Sequence, residues 1–261
     1  MLRIYLTGDL SLSSDGRLIR AGRLPGRQGR RLFAYLALER SRQVTRDELV
    51  ESLWPRQPPA AFEIALSAIV SKLRGLMQEI GLGRRILAAA SGCYRLELPA
   101  ASWIDIEMAN ESVHMAEAAL LASDSRAAYG PAVVACAILR RPFLPGEDAP
   151  WIDARRGLLR NSLLRALDCL AQIHDMNGER ALALRAAQDA VELEPYREEG
   201  HRRLMLIHAA SGNRAEALRA YAKLRALLEA ELGTGPSPET RNLFEAIAHS
   251  RPDHFRDLVQ S

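Results

Sequence analysis

A ten-residue segment occurs twice in the C-terminal half of the chain, and this repetition constrains the fold more than any other feature. Residues 178–187 and 212–221 agree at seven of ten positions, and the two copies start 34 residues apart. Each copy begins with glycine and continues with alanine, leucine and arginine, which favour helix. A repeat of this length accommodates two antiparallel helices and their turns. The sequence therefore predicts stacked helix pairs in this region.

The rest of residues 101–249 is also predicted to be helical. Beyond Trp103, amphipathic segments alternate with short breakers, and strand patterns are almost absent. Pro195 ends one repeat unit, Gly233 ends a later helix, and Ser237 opens the last one. Because 34 residues is the tetratricopeptide period, this half is predicted to be an all-α, tetratricopeptide-like repeat domain. Its concave surface suits a protein partner, although such helices also serve as packing for a neighbouring domain.

The N-terminal hundred residues carry a different pattern. Alternating apolar and polar residues over 2–20 predict a small antiparallel sheet. Three helices follow. The first is predicted at 30–39, the second begins after a capping box at 45–48, and the third is predicted at 58–80. Residues 85–98 contain two strand-like stretches around a small-residue turn and predict a β-hairpin. A sheet, three helices and a hairpin in this order predict an α+β winged helix-turn-helix.

Charge separates the two halves. Residues 1–100 contain 16 basic and 9 acidic side chains, whereas the remaining residues contain 19 basic and 23 acidic ones. A basic domain suits an anionic partner such as nucleic acid. Aromatic residues make up only 5% of the chain, while alanine and leucine are abundant, so the fold class is predicted to be mainly α. We predict domains at 1–100 and 101–249, followed by a polar tail at 250–261.

The common catalytic motifs are missing from the sequence. The two lysines, Lys72 and Lys223, do not follow glycine, so there is no glycine-rich phosphate loop. Nucleophile elbows, zinc-binding helices and dinucleotide turns are also absent. Cys93, Cys136 and Cys169 are too far apart for a metal or redox pair and are interpreted as buried apolar residues. No enzyme activity, cofactor or metal is expected.

Several polar residues are interpreted as structural. His201 and His208 lie two turns apart on an ordinary amphipathic segment and form no catalytic cluster. The adjacent acids at 147–148 and at 198–199 would diverge on a helix, so both pairs are expected on the solvated surface.

The sequence contains no membrane or export signal. The longest apolar stretch, near 132–139, is far shorter than the roughly 20 residues that cross a bilayer. The first residues lack the apolar core of a secretory signal. A cytoplasmic location without a membrane partner is expected.

Motifs in both halves resemble one family of bacterial regulators. Residues 46–55 (RDELVESLWP), 65–74 (ALSAIVSKLR) and 92–96 (GCYRL) resemble the OmpR-type DNA-binding domain of the Streptomyces antibiotic regulatory protein (SARP, AfsR-like) family. The likeness covers essentially all of residues 1–100. Residues 149–153 (APWID), 228–240 (LEAELGTGPSPET) and the repeat resemble the bacterial transcriptional activator domain of the same family, over residues 102–249.

This resemblance implies a sequence-specific, DNA-binding transcriptional regulator, with activation favoured over repression. Helix 58–80 would be the recognition helix in the major groove, and the 85–98 hairpin would be the wing near the minor groove. The partners implied are double-stranded promoter DNA carrying direct repeats and RNA polymerase, with a homodimer on DNA as one arrangement. Two alternatives stay open: a protein-interaction scaffold whose winged helix does not read DNA, and a regulator gated by a ligand in the repeat domain.

Candidate DNA contacts lie on the predicted recognition helix and wing. Lys72 is the main base-contact candidate, because lysine can bond O6 and N7 of guanine. By position against the family motif, the resemblance implies contacts to bases or phosphates for Ser67, Ala68 and Ser71, to a phosphate for Arg74, and to the DNA backbone for Tyr94 and Arg95. The alternative is that Tyr94 is core and Arg95 is solvated.

The surface predicted to face the DNA groove carries few positive charges. Ile64, Ala65 and Ala90 occupy places where winged-helix relatives often carry polar or basic contact residues. Six arginines instead lie around the sheet and first helix, where they either hold phosphates or form ordinary surface: Arg17, Arg20, Arg23, Arg27, Arg30 and Arg31. Of these, the last three are taken as candidate DNA contacts.

Overall fold

The computed structural model describes residues 1–249, without the side chain of Arg84, so the predicted polar tail at 250–261 lies outside the described residues. The chain divides into two compact units. The N-terminal unit comprises residues 1–111 and 137–159, and the repeat unit comprises residues 112–136 and 160–249. Two segments beyond residue 100 therefore belong to the N-terminal unit, while the predicted sequence boundary at residue 100 stays a prediction.

Two small sheets belong to the N-terminal unit. The strands are β1 (Leu2–Tyr5), β2 (Ser11–Ser14), β3 (Arg17–Arg20), β4 (Val44–Thr45), β5 (Leu87–Ala90), β6 (Cys93–Leu96) and β7 (Trp103–Ile104). The first sheet has the order β3-β2-β1-β7 and the second has the order β4-β6-β5. The first three strands pair antiparallel, as predicted, whereas β7 pairs parallel to β1, with Arg3 opposite Trp103. The sequence did not predict β7.

Three helices complete the winged helix-turn-helix. They are α1 (Gly26–Leu38), α2 (Arg46–Leu53) and α3 (Phe62–Glu79). Their apolar faces form the core, and the buried side chains include Leu32, Phe33 and Leu36 of α1, Leu49 and Leu53 of α2, and Leu66, Val70, Leu73 and Met77 of α3. The capping box is present: the Thr45 hydroxyl accepts the N–H of Glu48 at 3.2 Å, and the Glu48 carboxylate accepts the N–H of Thr45 at 3.1 Å. Arg42 hydrogen-bonds to Glu48 and lowers the pKa of this carboxyl.

The later part of the chain is helical throughout. Its helices are α4 (Asp105–Leu121), α5 (Ser125–Leu139), α6 (Pro150–Met176), α7 (Arg180–Leu193), α8 (Glu198–Ala210), α9 (Arg214–Leu232) and α10 (Pro238–His249). Within the N-terminal unit, the buried carboxylate of Asp105 accepts the N–H groups of Leu6 and Thr7, both at 3.0 Å. This carboxylate ties the start of α4 to the chain that follows β1.

The predicted repeat appears as two successive helix pairs in the repeat unit. Helices α7 and α9 start 34 residues apart, and each follows a glycine with a left-handed backbone, Gly178 at φ 77° and Gly212 at φ 74°. Small residues allow close packing of the first pair: a Cβ on Gly200 would lie 3.0 Å from Cγ2 of Val191. The prediction of a mainly α chain with a tetratricopeptide-like region is confirmed.

The burial of the cysteines and the hydropathy of the helices bear on two other expectations. The thiols of Cys136 and Cys169 are buried and that of Cys93 is half-buried, and none of them forms a disulfide. Across residues 1–249, every helix is too short or too polar to span a bilayer.

Candidate nucleic-acid interface

One face of α3 points outward. Ser67, Ala68, Ser71 and Lys72 are all exposed, while the opposite face of the helix is buried in the core. Ile64 begins the outward stripe and is 74% exposed. Within the described part of the chain, Lys72 has no hydrogen-bond or ion-pair partner. The helix therefore presents a polar, weakly basic stripe with one unpaired cation and an apolar residue at its start.

Arg74 connects α3 to the hairpin. Its side chain is half-buried, and its Nε and Nη2 donate to the carbonyl of Leu87 in β5 at 3.0 and 2.8 Å. Two bonds from one guanidinium to one carbonyl fix the helix against the strand. Arg74 thus holds the hairpin in place, a role that the sequence did not predict.

The hairpin turns at Ser91 and Gly92, which both have positive φ, at 51° and 76°. The N–H of Arg46 donates to the carbonyl of Gly92 at 2.9 Å, so the turn is tied to the start of α2. Tyr94 is half-buried, so its side chain is neither fully in the core nor fully exposed. Arg95 is exposed, and its Nε donates to the carbonyl of Arg40 at 3.3 Å, which leaves its other donors to solvent.

A cleft of about 520 Å³ lies between α3 and the hairpin. It is lined by Ser71, Arg74, Gly75, Arg85, Leu87, Ala88, Ala89 and Glu97. Arg85 is exposed there and was missed as a candidate. The signal was a basic residue two positions before the first hairpin strand, on the side that meets α3.

Three arginines of α1 converge on one carboxylate. The side chain of Glu147 is 2% exposed and accepts from Nε of Arg27 at 3.0 Å, from Nε and Nη2 of Arg30 at 2.9 and 2.6 Å, and from Nε of Arg31 at 2.9 Å. All four residues belong to the N-terminal unit. The expectation that Glu147 is solvated surface was wrong, because the residue before it, Gly146, has φ 76° and the chain is not helical at this point.

Among the three α1 arginines that were expected to contact DNA, Arg31 is the most deeply buried. Its side chain is 6% exposed. Besides Glu147, its guanidinium donates to the carbonyls of Leu53 at 3.2 Å and Asp148 at 2.6 Å. Every side of this guanidinium is therefore bound within the protein, and Arg31 does not lie on a surface that DNA can reach. Arg27 and Arg30 remain partly exposed and share the single negative charge of Glu147 with Arg31.

Other arginines near the predicted interface are also paired with carboxylates. Arg46 contacts Glu63 at 2.8 Å, and Arg23 contacts Glu79 at 2.8 Å. Both acids are already counted in the charge of the N-terminal hundred residues, so their excess of positive charge remains, and Lys72 is the cation that the outward stripe of α3 contributes to it. Across the described residues, no cluster of three histidine, cysteine or acidic side chains is arranged to hold a metal.

The chain is similar to known regulators along almost its whole length. A family model described as "Bacterial transcriptional activator domain" matches residues 104–248. Regulatory protein AfsR of Streptomyces coelicolor is 29% identical over 96% of this chain and 24% of its own length. Transcriptional regulatory protein EmbR of Mycobacterium tuberculosis is 30% identical over 95% of this chain and 63% of its own length. The chain thus spans about a quarter of AfsR and less than two thirds of EmbR.

A solved structure shows the same architecture. Mycobacterium tuberculosis EmbR, in complex with a low affinity phosphopeptide, matches with a TM-score of 0.86 and 25% sequence identity. The match covers 98% of this chain and 68% of that chain. A further relative, transcriptional regulator RedD of Streptomyces coelicolor, is 29% identical over 96% of this chain and 71% of its own length.

Proposed function

Because the chain belongs to the SARP (AfsR-like) family of bacterial transcriptional regulators, we propose that it binds promoter DNA sequence-specifically through α3 and the β5–β6 hairpin. The observation that carries the proposal is the outward stripe of α3, with Ser67, Ser71 and the unpaired Lys72, beside the hairpin that Arg74 holds in place. A helix of this kind fits the roughly 12 Å major groove of B-DNA.

Each proposed contact has a physical reason. Lys72 donates to guanine O6 or N7, and the hydroxyls of Ser67 and Ser71 bond bases or phosphates. The exposed, apolar side chain of Ile64 packs against a thymine methyl group. Ala68 leaves room for close approach of the helix. These five residues form the base-facing stripe.

Phosphate contacts fall to the cations at the edges of this surface. We assign them to Arg85 in the cleft, Arg95 on the hairpin and the exposed part of Arg27, with Tyr94 beside Arg95 in β6. Arg30 and Arg74 can contact phosphates only through the guanidinium N–H groups that are not already bound within the protein. Because the base-facing stripe carries a single cation, Lys72, a single copy binds modestly, and two copies on adjacent direct repeats double the number of phosphates neutralised.

We further propose that the bound protein activates transcription by contacting RNA polymerase. The matched domain is described as a transcriptional activator domain, and an acidic helical repeat is suited to a protein partner rather than to DNA. Membership of a family of transcriptional regulators argues against an enzyme.

Fluorescence anisotropy with the DNA upstream of the protein's own gene tests this function. Lys72→Ala is expected to weaken cognate binding by about 1–3 kcal/mol and random DNA far less. Lys223→Ala is the matched control, since it removes the other lysine, an exposed residue of α9 in the repeat unit. Equal losses on cognate and random DNA would refute base reading by Lys72.

Salt dependence separates DNA binding from the scaffold alternative. The logarithm of the binding constant should fall with the logarithm of salt concentration by about 0.9 per neutralised phosphate. If no complex with DNA forms even at low salt, the DNA-binding proposal is overturned and the protein-interaction scaffold is the better explanation. Footprinting on the same DNA would then show no protected repeats.

A further inference from the structure

The cleft between α3 and the β5–β6 hairpin contains a helix position without a side chain. Gly75 lies in the interior of the 18-residue helix α3, is exposed and lines this cleft. Apart from proline, glycine is the least favourable residue inside a helix. Across residues 1–249, a Cβ on Gly75 would meet no atom within 4 Å outside its own turn of helix. Packing within the chain therefore does not require glycine at this position.

The opposite wall of the cleft is an edge strand. The sheet order β4-β6-β5 places β5 at the edge. The carbonyl of Leu87 accepts from Arg74 of α3, so it points away from β6. Backbone groups alternate in direction along an antiparallel strand, so Ala89, two residues further on, directs its N–H to the same side as Leu87. Because Ala89 is exposed and lines the cleft, this N–H is an open donor on the edge of the sheet.

Other donors lie on both sides of this N–H. The hydroxyl of Ser71 is exposed on α3, and the guanidinium of Arg85 is exposed just before β5. The remaining charged residues that line the cleft are Arg74 and Glu97, so two arginines lie with one carboxylate and the charge is positive. Backbone N–H groups, serine hydroxyls and arginines are the donors that proteins direct at DNA phosphates. The cleft is therefore suited to a phosphate group.

The shape of B-DNA brings a phosphate to this place. One sugar–phosphate strand separates the major groove from the adjacent minor groove. When α3 occupies the major groove and the hairpin lies near the minor groove, as proposed above, that strand passes between them. A side chain at position 75 would lie between α3 and the strand.

We propose that one phosphate of this strand sits in the cleft, where it accepts from the N–H of Ala89, the hydroxyl of Ser71 and the guanidinium of Arg85. Gly75 admits the strand to the surface of the helix and is a positioning residue, because it sets how deeply α3 enters the major groove. This inference rests on the proposed DNA binding and deepens it by naming the DNA group that the cleft holds.

Gly75→Ala tests the proposal because it should change stability and DNA binding in opposite directions. Alanine favours helix, so the urea midpoint of the N-terminal unit should rise by about 0.3–1 M. The added methyl group crowds the bound strand, so binding to the duplex protected in footprinting should weaken at least about fivefold. A change that acted only through the fold would move both quantities the same way.

Gly157→Ala is the matched control. Gly157 is also an exposed glycine inside a helix, α6 of the N-terminal unit, and a Cβ there would meet no atom within 4 Å outside its own turn of helix, across residues 1–249. It does not line the cleft. Gly157→Ala should raise the urea midpoint by a similar amount and leave DNA binding unchanged.

Methylphosphonate substitution locates the phosphate. Each phosphate of the duplex is replaced in turn by a neutral methylphosphonate, and the loss of affinity is compared between the wild type and Gly75→Ala. At one phosphate for each bound copy, the wild type should lose at least about fivefold and Gly75→Ala distinctly less, because the variant has already lost that contact.

The outcomes separate this inference from the proposed function. Unchanged DNA binding by Gly75→Ala, a fall of its urea midpoint, or equal losses for both proteins at every phosphate would overturn the inference, while specific binding by the wild type would still support the proposed function. No binding by the wild type at low salt would overturn both.

Discussion

Replacing Glu147 with glutamine removes the negative charge on which Arg27, Arg30 and Arg31 converge. Glutamine keeps the size of the side chain and one carbonyl acceptor, but three cations then lie beside one another without a counter-charge. We expect the N-terminal unit to lose much of its stability. The same change should leave the repeat unit nearly unaffected, since all four residues belong to the N-terminal unit.

The magnitude follows from burial. Arg31 and Glu147 are 6% and 2% exposed, and removing one partner of such a buried pair costs about 3–5 kcal/mol. Arg27 and Arg30 are 47% and 31% exposed, so water screens their charges and each pair adds at most about 1 kcal/mol. The expected loss is therefore about 3–7 kcal/mol, most of it from Arg31. This is a large fraction of the 5–15 kcal/mol that stabilises a typical protein.

Urea unfolding followed by tryptophan fluorescence measures this loss, because the indole of Trp151 donates to the carbonyl of Ser52 and reports on the N-terminal unit. Asp148→Asn is the matched control: it removes a negative charge one residue away, on an exposed side chain. A second variant, Glu147→Gln with Arg31→Met, should be more stable than Glu147→Gln alone. If Glu147→Gln unfolds within about 1 kcal/mol of Asp148→Asn, the reasoning about a buried counter-charge is refuted.

Three further outcomes are expected in urea unfolding, followed by tryptophan fluorescence for the N-terminal unit and by far-ultraviolet circular dichroism for the repeat unit, whose described residues contain no tryptophan. Thr45→Ala removes the capping hydroxyl of α2 and should cost about 1 kcal/mol, whereas an unchanged midpoint would mean that the capping box contributes nothing. Gly200→Ala places a methyl 3.0 Å from Val191 and should destabilise the repeat unit by up to about 2 kcal/mol, because crowding costs about 1–3 kcal/mol and alanine returns up to about 1 kcal/mol of helix propensity, with Val191→Ala in the same chain restoring part of the loss. Burial lowers the pKa of His201, so the unfolded chain binds the proton more readily than the folded chain does. The free energy of unfolding should therefore decrease as the pH is lowered from 7 to 5. His201→Gln should flatten that dependence, and an equal slope in the variant would assign it to other groups.

The local elements of this protein could be read from the sequence because each has a short-range cause. The capping box at Thr45 needs only two residues three positions apart. The repeat is visible because Gly178 and Gly212 begin two segments that agree at seven of ten positions. The stripe of α3 follows from helical periodicity, and Lys72 and Ser71 fall on its outer side as expected. Family motifs then added the function that periodicity alone does not contain.

What could not be predicted depends on contacts between distant parts of the chain. Glu147 lies more than a hundred residues from its three arginine partners, and a carboxylate next to another carboxylate gives no local sign of burial. The strand β7 has two residues, too few for an alternating pattern, and exists because β1 pairs with it. Arg74 was expected at a phosphate, but the carbonyl of Leu87 competes for its guanidinium. In each case the partner, and not the residue itself, determines the role.

The late position of Glu147 bears on how the chain folds during synthesis. A ribosome that has completed residue 100 has made every strand and helix of the winged helix except β7, yet the counter-charge for Arg31 and the rest of the N-terminal unit, up to residue 159, are still to come. At about 5–20 residues per second, that interval lasts roughly 3–12 s. During this time the nascent winged helix has an uncompensated cation at its core, so the N-terminal unit completes its folding only after residues 137–159 have been made.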